Sequence, residues 1–351
     1  MKNKTGFFFL LFLICSAFVS YVHEVNPYFI ITKKDVKLRI PKNFPKPVYT
    51  FENNKLKPEI FVLGRELFYD EILSKDNTVS CASCHERIAA FAHIDHTLSH
   101  GIYGRIGNRN VPALQNLIWN KSFMADGGVN HLEVQPIGPI TNPKEMDETL
   151  EGILIKLKKS PKYKELFFKA YADSLISSER MLKSITQFVG LMISSNSRYD
   201  KYIAGKEKFT PEEEKGLALF RNKCANCHTE PLFTDNSFKN NGLIPDSSLN
   251  DIGRGLITGK KEDYYSYKVP SLRNIERTYP YMHDGRFKKL KDVLNYYGSN
   301  ENHTSNQDSK MNKIGELTFE DKQNLILFLQ TLTDKTFLGD RRFANPNFKE
   351  Y

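Results

Sequence analysis

Two short stretches carry reactive side chains at matching spacing: Cys81-Ala82-Ser83-Cys84-His85 and Cys224-Ala225-Asn226-Cys227-His228. Thiols paired in this way serve a zinc site, a dithiol redox centre, or the covalent attachment of c-type haem. The histidine after each pair favours attachment. The two thiols bond the vinyl groups of the porphyrin, and the adjacent imidazole reaches the iron from the same stretch of backbone. A zinc ribbon brings its second cysteine pair within roughly 15 to 20 residues, a window that Cys224 far overshoots from Cys84. A dithiol centre leaves the repeated histidine unexplained. Two covalent haems are therefore expected, bound through Cys81, Cys84, Cys224 and Cys227, with His85 and His228 as iron ligands.

The fifth cysteine, Cys15, lies in the apolar run at residues 7–19, which follows Lys2 and Lys4. A charged head before a short apolar stretch reads as an export signal. Residues 1–24 are thus expected to be a signal peptide or, uncleaved, an N-terminal membrane anchor. Cys15 has Leu13-Ile14 before it rather than the small residue of a lipidation site. Export leaves only the four motif cysteines, so a disulfide framework is not expected. The formal charge of +9 is spread along the chain. No basic block interleaved with aromatics marks a nucleic-acid partner.

A second repeat accompanies the first. Residues 111–132 and 269–290 align without gaps, with Val, Pro, Leu, Asn, Met, Asp, Gly and Leu in common. Gly-x-x-Leu-Phe precedes each cysteine pair, at Gly64 and Gly216. The chain reads as a duplication. Apolar periodicity predicts helices at 58–70 and 211–222 leading into the motifs, and others at the close of each half. Thr210-Pro211 with Glu213, and Thr318 with Asp321, are N-terminal capping signals. No alternating strand run competes. The expected fold is all-α: two cytochrome c-like domains in tandem, residues 45–204 and 205–345, one covalent haem each, joined through YIAGKEKFTP. Residues 235–267 read as a long loop.

Positions that break the repeat carry the functional differences. Glu133 aligns with Lys291, which makes it a candidate acid/base beside the first haem; a solvated surface carboxylate is the plain alternative. His283 faces Ala125, while Met124 and Met282 coincide. Trp119, the single tryptophan, is an electron-relay candidate or a core aromatic. His93, His96 and His100 sit in a polar, loop-like run, most of them expected at the surface. His100 is the candidate iron ligand among them, because Gly101 lets the chain bend back.

The succession LGRELFYDEILSKDNTVSCASCH, RNVPALQN, ADGGVNHLEVQPIGPITNPKEM, KCANCHTEPLFTD and YKVPSLRNIERTYPYMHDGRF resembles the bacterial di-haem cytochrome c peroxidase family with its MauG-like branch, over residues 55–335. The resemblance implies periplasmic reduction of hydrogen peroxide to water. Electrons from a small c-type cytochrome or cupredoxin would enter at the haem of His228 and pass to the haem of His85, where peroxide binds. It assigns Glu133 as the catalytic glutamate. It also implies calcium held by Asn110, Thr278 and Pro280, and a homodimer.

Two departures matter. Fourteen residues after His283, where the peroxidases carry a methionine that binds the second haem's iron, this chain has Tyr297, as in the MauG-like branch. Tyr296, Met282 and Met311 are rival ligands. A phenolate would lower the potential relative to methionine. On the first side, Phe123 replaces a glutamine, and matching His100 to a removable distal histidine requires a gap. The leading expectation is a peroxidase. The alternatives are a MauG-like enzyme that uses peroxide to oxidise residues of another protein, or a di-haem electron carrier without catalysis.

Overall fold

The computed structural model describes residues 31–299 and 304–347; the expected export segment at 1–24, with Cys15, lies outside them. Helices dominate. The first half supplies α1 (Pro58–Tyr69), α2 (Cys81–Cys84), α3 (Ile137–Thr141), α4 (Leu150–Lys159), α5 (Pro161–Tyr171) and α6 (Ser178–Gly190). The second supplies α7 (Arg198–Ile203), α8 (Pro211–Lys223), α9 (Gly255–Thr258), α10 (Leu290–Tyr297), α11 (Phe319–Gln330) and α12 (Lys335–Leu338). The loop expected at 235–267 is more structured than its composition suggested. It contains β1 (Phe238–Lys239), which pairs antiparallel with β2 (Tyr267–Lys268), and it carries α9.

The helix boundaries follow local chemistry. Pro58 and Pro211 stand at the first helical positions, where a missing N–H costs nothing. Thr210 and Glu213 form a reciprocal capping box at the start of α8, and Thr318 and Asp321 do the same for α11. Ile60, Phe61, Leu63, Leu67 and Phe68 put one buried face on α1, the spacing an amphipathic helix needs.

The Gly-x-x-Leu-Phe repeat has a packing cause. α1 crosses α6 and α8 crosses α11 at closest approach on the repeated glycine. A Cβ on Gly64 would lie 1.9 Å from the Ser184 carbonyl oxygen, and one on Gly216 would lie 2.0 Å from that of Asn324. Only glycine allows this backbone-to-backbone contact. The aromatic of each motif then fills the space behind it: Phe68 packs on Phe188, and Phe220 on Phe328.

Two hydrophobic cores result, one around α1 and α6 and one around α8 and α11. They do not divide at one point in the chain. After α11 the chain returns to the first core, where Phe337 and Phe343 pack on Phe91. Tyr69 fixes that return by donating to the Phe343 carbonyl at 2.6 Å. No helix among the described residues is long and apolar enough to cross a membrane.

Replacing Gly64 with Ala should lower unfolding stability by about 1–3 kcal/mol, read as a lower urea midpoint at unchanged haem content. An unmoved midpoint would mean that α1 and α6 part without loss of packing.

Candidate haem sites and their surroundings

Ser80 caps α2 and exchanges hydrogen bonds with Ser83, so the first cysteine pair sits on one short helical turn with His85 at its end. His85 Nδ1 lies 2.7 Å from the Phe91 carbonyl oxygen, and the Pro112 carbonyl also faces the ring. In the second half, His228 Nδ1 lies 3.1 Å from both the Phe233 and the Pro270 oxygens. Pro112 and Pro270 occupy the same position of the repeat. Phe91 (φ +63°) and Phe233 (φ +56°) both hold left-handed backbone. Each half therefore uses the same device: a strained phenylalanine and a proline aim carbonyls at Nδ1.

A carbonyl can only accept, so Nδ1 must carry the proton and the Nε2 lone pair is left for a metal. Burial keeps both imidazoles neutral, lowering His85 to about 4 and holding His228 below its ordinary value. All four motif thiols are free. Burial pushes Cys81 up to about 12, Cys84 to about 11 and Cys224 to about 12, and Cys227 is raised as well. The donor set fits covalent haem, with His85 and His228 holding iron and the four cysteines holding the porphyrin.

Glu133 and Glu145 part company around the first motif. Glu133 lies on the turn Leu132–Val134 and is half-buried; its Oε1 accepts from the Tyr49 hydroxyl at 2.7 Å. Asn54 donates to Tyr49 Oη at 3.3 Å, and Gln187 donates to Asn54 Oδ1 at 2.8 Å. The charge of Glu133 reaches Lys183 on α6. No hydrogen bond or ion pair among the described residues ties Glu133 to the Cys81–His85 motif.

Glu145 does lie at that motif. Burial holds its carboxyl above the usual range, and after burial its charge is the main influence raising Cys84. Its carbonyl accepts from Ile102 at 2.8 Å, while Gly101 packs on the Lys144–Glu145 backbone. Next to this, Cys84 Sγ donates to the His100 carbonyl at 3.5 Å. Glu145, His100 and Cys84 thus share one wall. Glu145 stands in the Asn-Pro-Lys-Glu-Met stretch beside buried Met146, and no sequence pattern singles it out. Phe123 is buried in the turn closed by Val129, and Gln135 reaches Met124 Sδ at 3.7 Å.

The histidine run departs from its surface expectation. His93 is only 6% exposed, and its ring centroid lies 5.2 Å from that of His96 and 6.5 Å from that of His100. His96 is exposed, as expected.

On the second motif, Tyr297 ends α10 and its hydroxyl accepts from Asn241 Nδ2 at 3.2 Å. Burial raises the phenol, Asn241 opposes this, and both Cys224 and Cys227 raise it further. The same Asn241 amide approaches Met282 Sδ at 3.5 Å, and Tyr296 donates to the Asn241 carbonyl at 3.1 Å. Three of the four candidate ligands therefore meet at Asn241, a residue no sequence pattern pointed to. Among these three, Tyr297 is the one whose titration both motif thiols influence. Met311 packs against the second core. His283 stacks on Tyr267 at 3.9 Å, a packed ring rather than an open one.

The halves meet through repeated positions. Asn110 donates to the Pro280 carbonyl at 3.1 Å and, from its backbone, to that of His283 at 2.7 Å. Thr278 instead ends the turn Ile275–Arg277. Arg109 grips Asp251 with two bonds of 2.7 Å and Asp126 with a third. Trp119 is buried, donates to the Pro45 carbonyl at 2.8 Å and packs edge-on against Phe44. Arg273 covers Phe44 from the second half.

Residues 58–208 match the family described as Di-haem cytochrome c peroxidase, and residues 213–333 match Cytochrome c. The chain is 32% identical to methylamine utilization protein MauG of Methylorubrum extorquens, covering 84% of this chain and 83% of that protein. It is 33% identical to cytochrome c551 peroxidase of Nitrosomonas europaea, over 82% and 81% of the two chains. A solved MauG-like protein associated with microbial copper homeostasis superposes with a TM-score of 0.80 at 30% identity, over 88% of this chain and 99% of that one. The shared fold is two tandem cytochrome c-like domains, and the chain belongs to the di-haem cytochrome c peroxidase family of haem oxidoreductases.

Proposed function

We propose that this protein carries two covalent c-type haems and reduces hydrogen peroxide to water, drawing electrons from a small c-type cytochrome or cupredoxin in the periplasm. The observation that carries the reading is the pair of Cys-x-x-Cys-His motifs whose histidines are each held at Nδ1 by backbone carbonyls. Bound haem supplies the redox chemistry, with peroxide taken at the His85 site and electrons received at the His228 site.

The chain's own part is to move protons. Reduction of one peroxide consumes two protons and two electrons, and one oxygen must lose a proton while the other gains one. A half-buried carboxyl can do both in turn. This role was expected of Glu133, whose carboxylate accepts a hydrogen bond from Tyr49, and it stays with Glu133 here; the carboxyl of Glu145, beside Cys84, is the alternative. A non-catalytic electron carrier would have no use for a carboxyl so placed.

A second reading has its own support. Tyr297 faces the second motif where the peroxidases have methionine, and relatives named MauG stand beside those named peroxidase. A phenolate ligand favours ferric iron, which suits an enzyme that uses peroxide to oxidise residues of a partner protein. For calcium, the oxygens within reach are Asn110 Oδ1, once its amide is flipped, and the Pro280 carbonyl. Thr278 would have to join from the adjoining turn.

Two outcomes are expected. Glu133→Gln should cut peroxide turnover about 100-fold or more with both haem spectra intact, while Glu145→Gln should retain most activity. The reverse pattern would pass the proton role to Glu145. Replacement of Tyr297 by Met should raise the second haem's midpoint potential and alter its visible spectrum. An unchanged potential and spectrum would pass the ligand role to Met282 or Tyr296.

A further inference from the structure

The cluster around His93 is not accounted for by haem attachment or by peroxide chemistry. Glu86 follows His85 directly, and an antiparallel bridge joins Glu86 to Ala92, so the chain doubles back and sets His93, Asp95 and His96 over Glu86. His93 Nε2 lies 3.7 Å from Glu86 Oε1 and 3.4 Å from His96 Nδ1. A ligand atom of Asp95 lies within 4.8 Å of those of Glu86 and His93. His100 stacks against His96, with ring centroids 4.0 Å apart.

As it stands the arrangement is poorly satisfied. His93 is buried, and its Nε2 meets the Glu86 carboxylate at more than good hydrogen-bond length. The ligand atoms of two carboxylates and one imidazole lie within 4.8 Å of one another, and His96 adjoins that imidazole, which leaves lone pairs and negative charge facing one another.

A cation resolves both. With bonds of about 2.0–2.2 Å, the ligand atoms of a tetrahedral site stand roughly 3.3–3.6 Å apart. The His93–His96 separation already matches that edge and the Glu86–His93 separation lies just beyond it, and exposed Asp95 and His96 can adjust. Imidazole nitrogens are not calcium or magnesium ligands, whereas mixed imidazole and carboxylate donors suit zinc and copper.

We propose that Glu86, His93, Asp95 and His96 form a binding site for a divalent transition-metal ion of the zinc or copper class, separate from both haem irons and from the oxygens of Asn110 and Pro280. The ion would clamp residues 86–96 into a closed loop. That loop includes Phe91, whose carbonyl orients His85, so occupancy would stiffen the mount of the first haem.

Calorimetric titration of the chelator-treated di-haem protein with Zn²⁺ alone tests this. One ion per chain should bind with a dissociation constant in the micromolar range or below. His96→Ala and Asp95→Asn alter exposed side chains and should each weaken binding about tenfold or more, with both Soret bands unchanged. Asn110→Ala should leave Zn²⁺ binding intact. The proposal fails if the wild type shows no saturable binding, if the His96 and Asp95 variants bind as tightly as the wild type, or if Asn110→Ala abolishes binding instead.

Discussion

The backbone turn at Phe91 and Phe233 is the constraint on which both haem sites rest. A bulky residue with positive φ costs about 1–3 kcal/mol, and the chain accepts that cost twice at equivalent places. Both rings are fully buried, and burying a phenylalanine returns roughly 1.5–3 kcal/mol. The gain beyond packing is directional. Each turn points a carbonyl at Nδ1 of the adjacent motif histidine, which sets the tautomer and leaves Nε2 for iron. If either phenylalanine relaxed to ordinary backbone, the imidazole would lose its orientation although every residue of the Cys-x-x-Cys-His motif remained.

The rest of the duplicated framework serves these two turns. Asn116 (φ +61°) and Asn274 (φ +60°) take the same left-handed conformation. Each backbone N–H then bonds a carbonyl just past the closing helix, that of Met192 or of Leu332. This holds the Val-Pro segments, and hence the Pro112 and Pro270 carbonyls, against α6 and α11. The Asn274 side chain reaches across to Ser194 Oγ at 3.0 Å, and Asn116 donates to the Ser194 carbonyl at 3.1 Å. Both repeats therefore converge on one residue between the halves. Arg273, with no exposed side-chain surface, pairs with Asp200 below it. Such a pair is costly to break once buried, so the two sites are held in one piece.

Much of this was legible where a residue type has a single physical use. Cysteine pairs followed by histidine, glycine repeated at two helix crossings, and threonine three residues ahead of an acid each announced the structure that formed. What stayed hidden depends on conformation or on distant partners. No composition rule marks Phe91 or Phe233 as left-handed. The return of Phe343 to the first core closes contacts hundreds of residues apart. Asn241 matters only because α10 brings Tyr297 to it, and Glu133 drew attention by breaking the repeat although Tyr49, from far earlier in the chain, decides its environment. His93 is buried while Asp95, His96 and Thr97 of the same run stay exposed, a split no composition rule marks.

The same scaffold yields two unlike sites through one exchange of side chains. In the register that matches residues 111–132 with 269–290, Tyr297 falls opposite Pro139. A proline ring has no lone pair to offer a metal, whereas a phenol has one. The two neighbourhoods diverge to match: α10 runs straight through to Tyr297, while the first half breaks into the turn Leu132–Val134 and the short α3. That break lets the chain after α3 reverse and deliver Glu145 to the Cys84 wall, where an unbroken helix would carry it away. A phenol beside the second motif and a carboxyl beside the first thus occupy opposite members of the duplication. The helix break goes with the second, and the intact helix ends on the first.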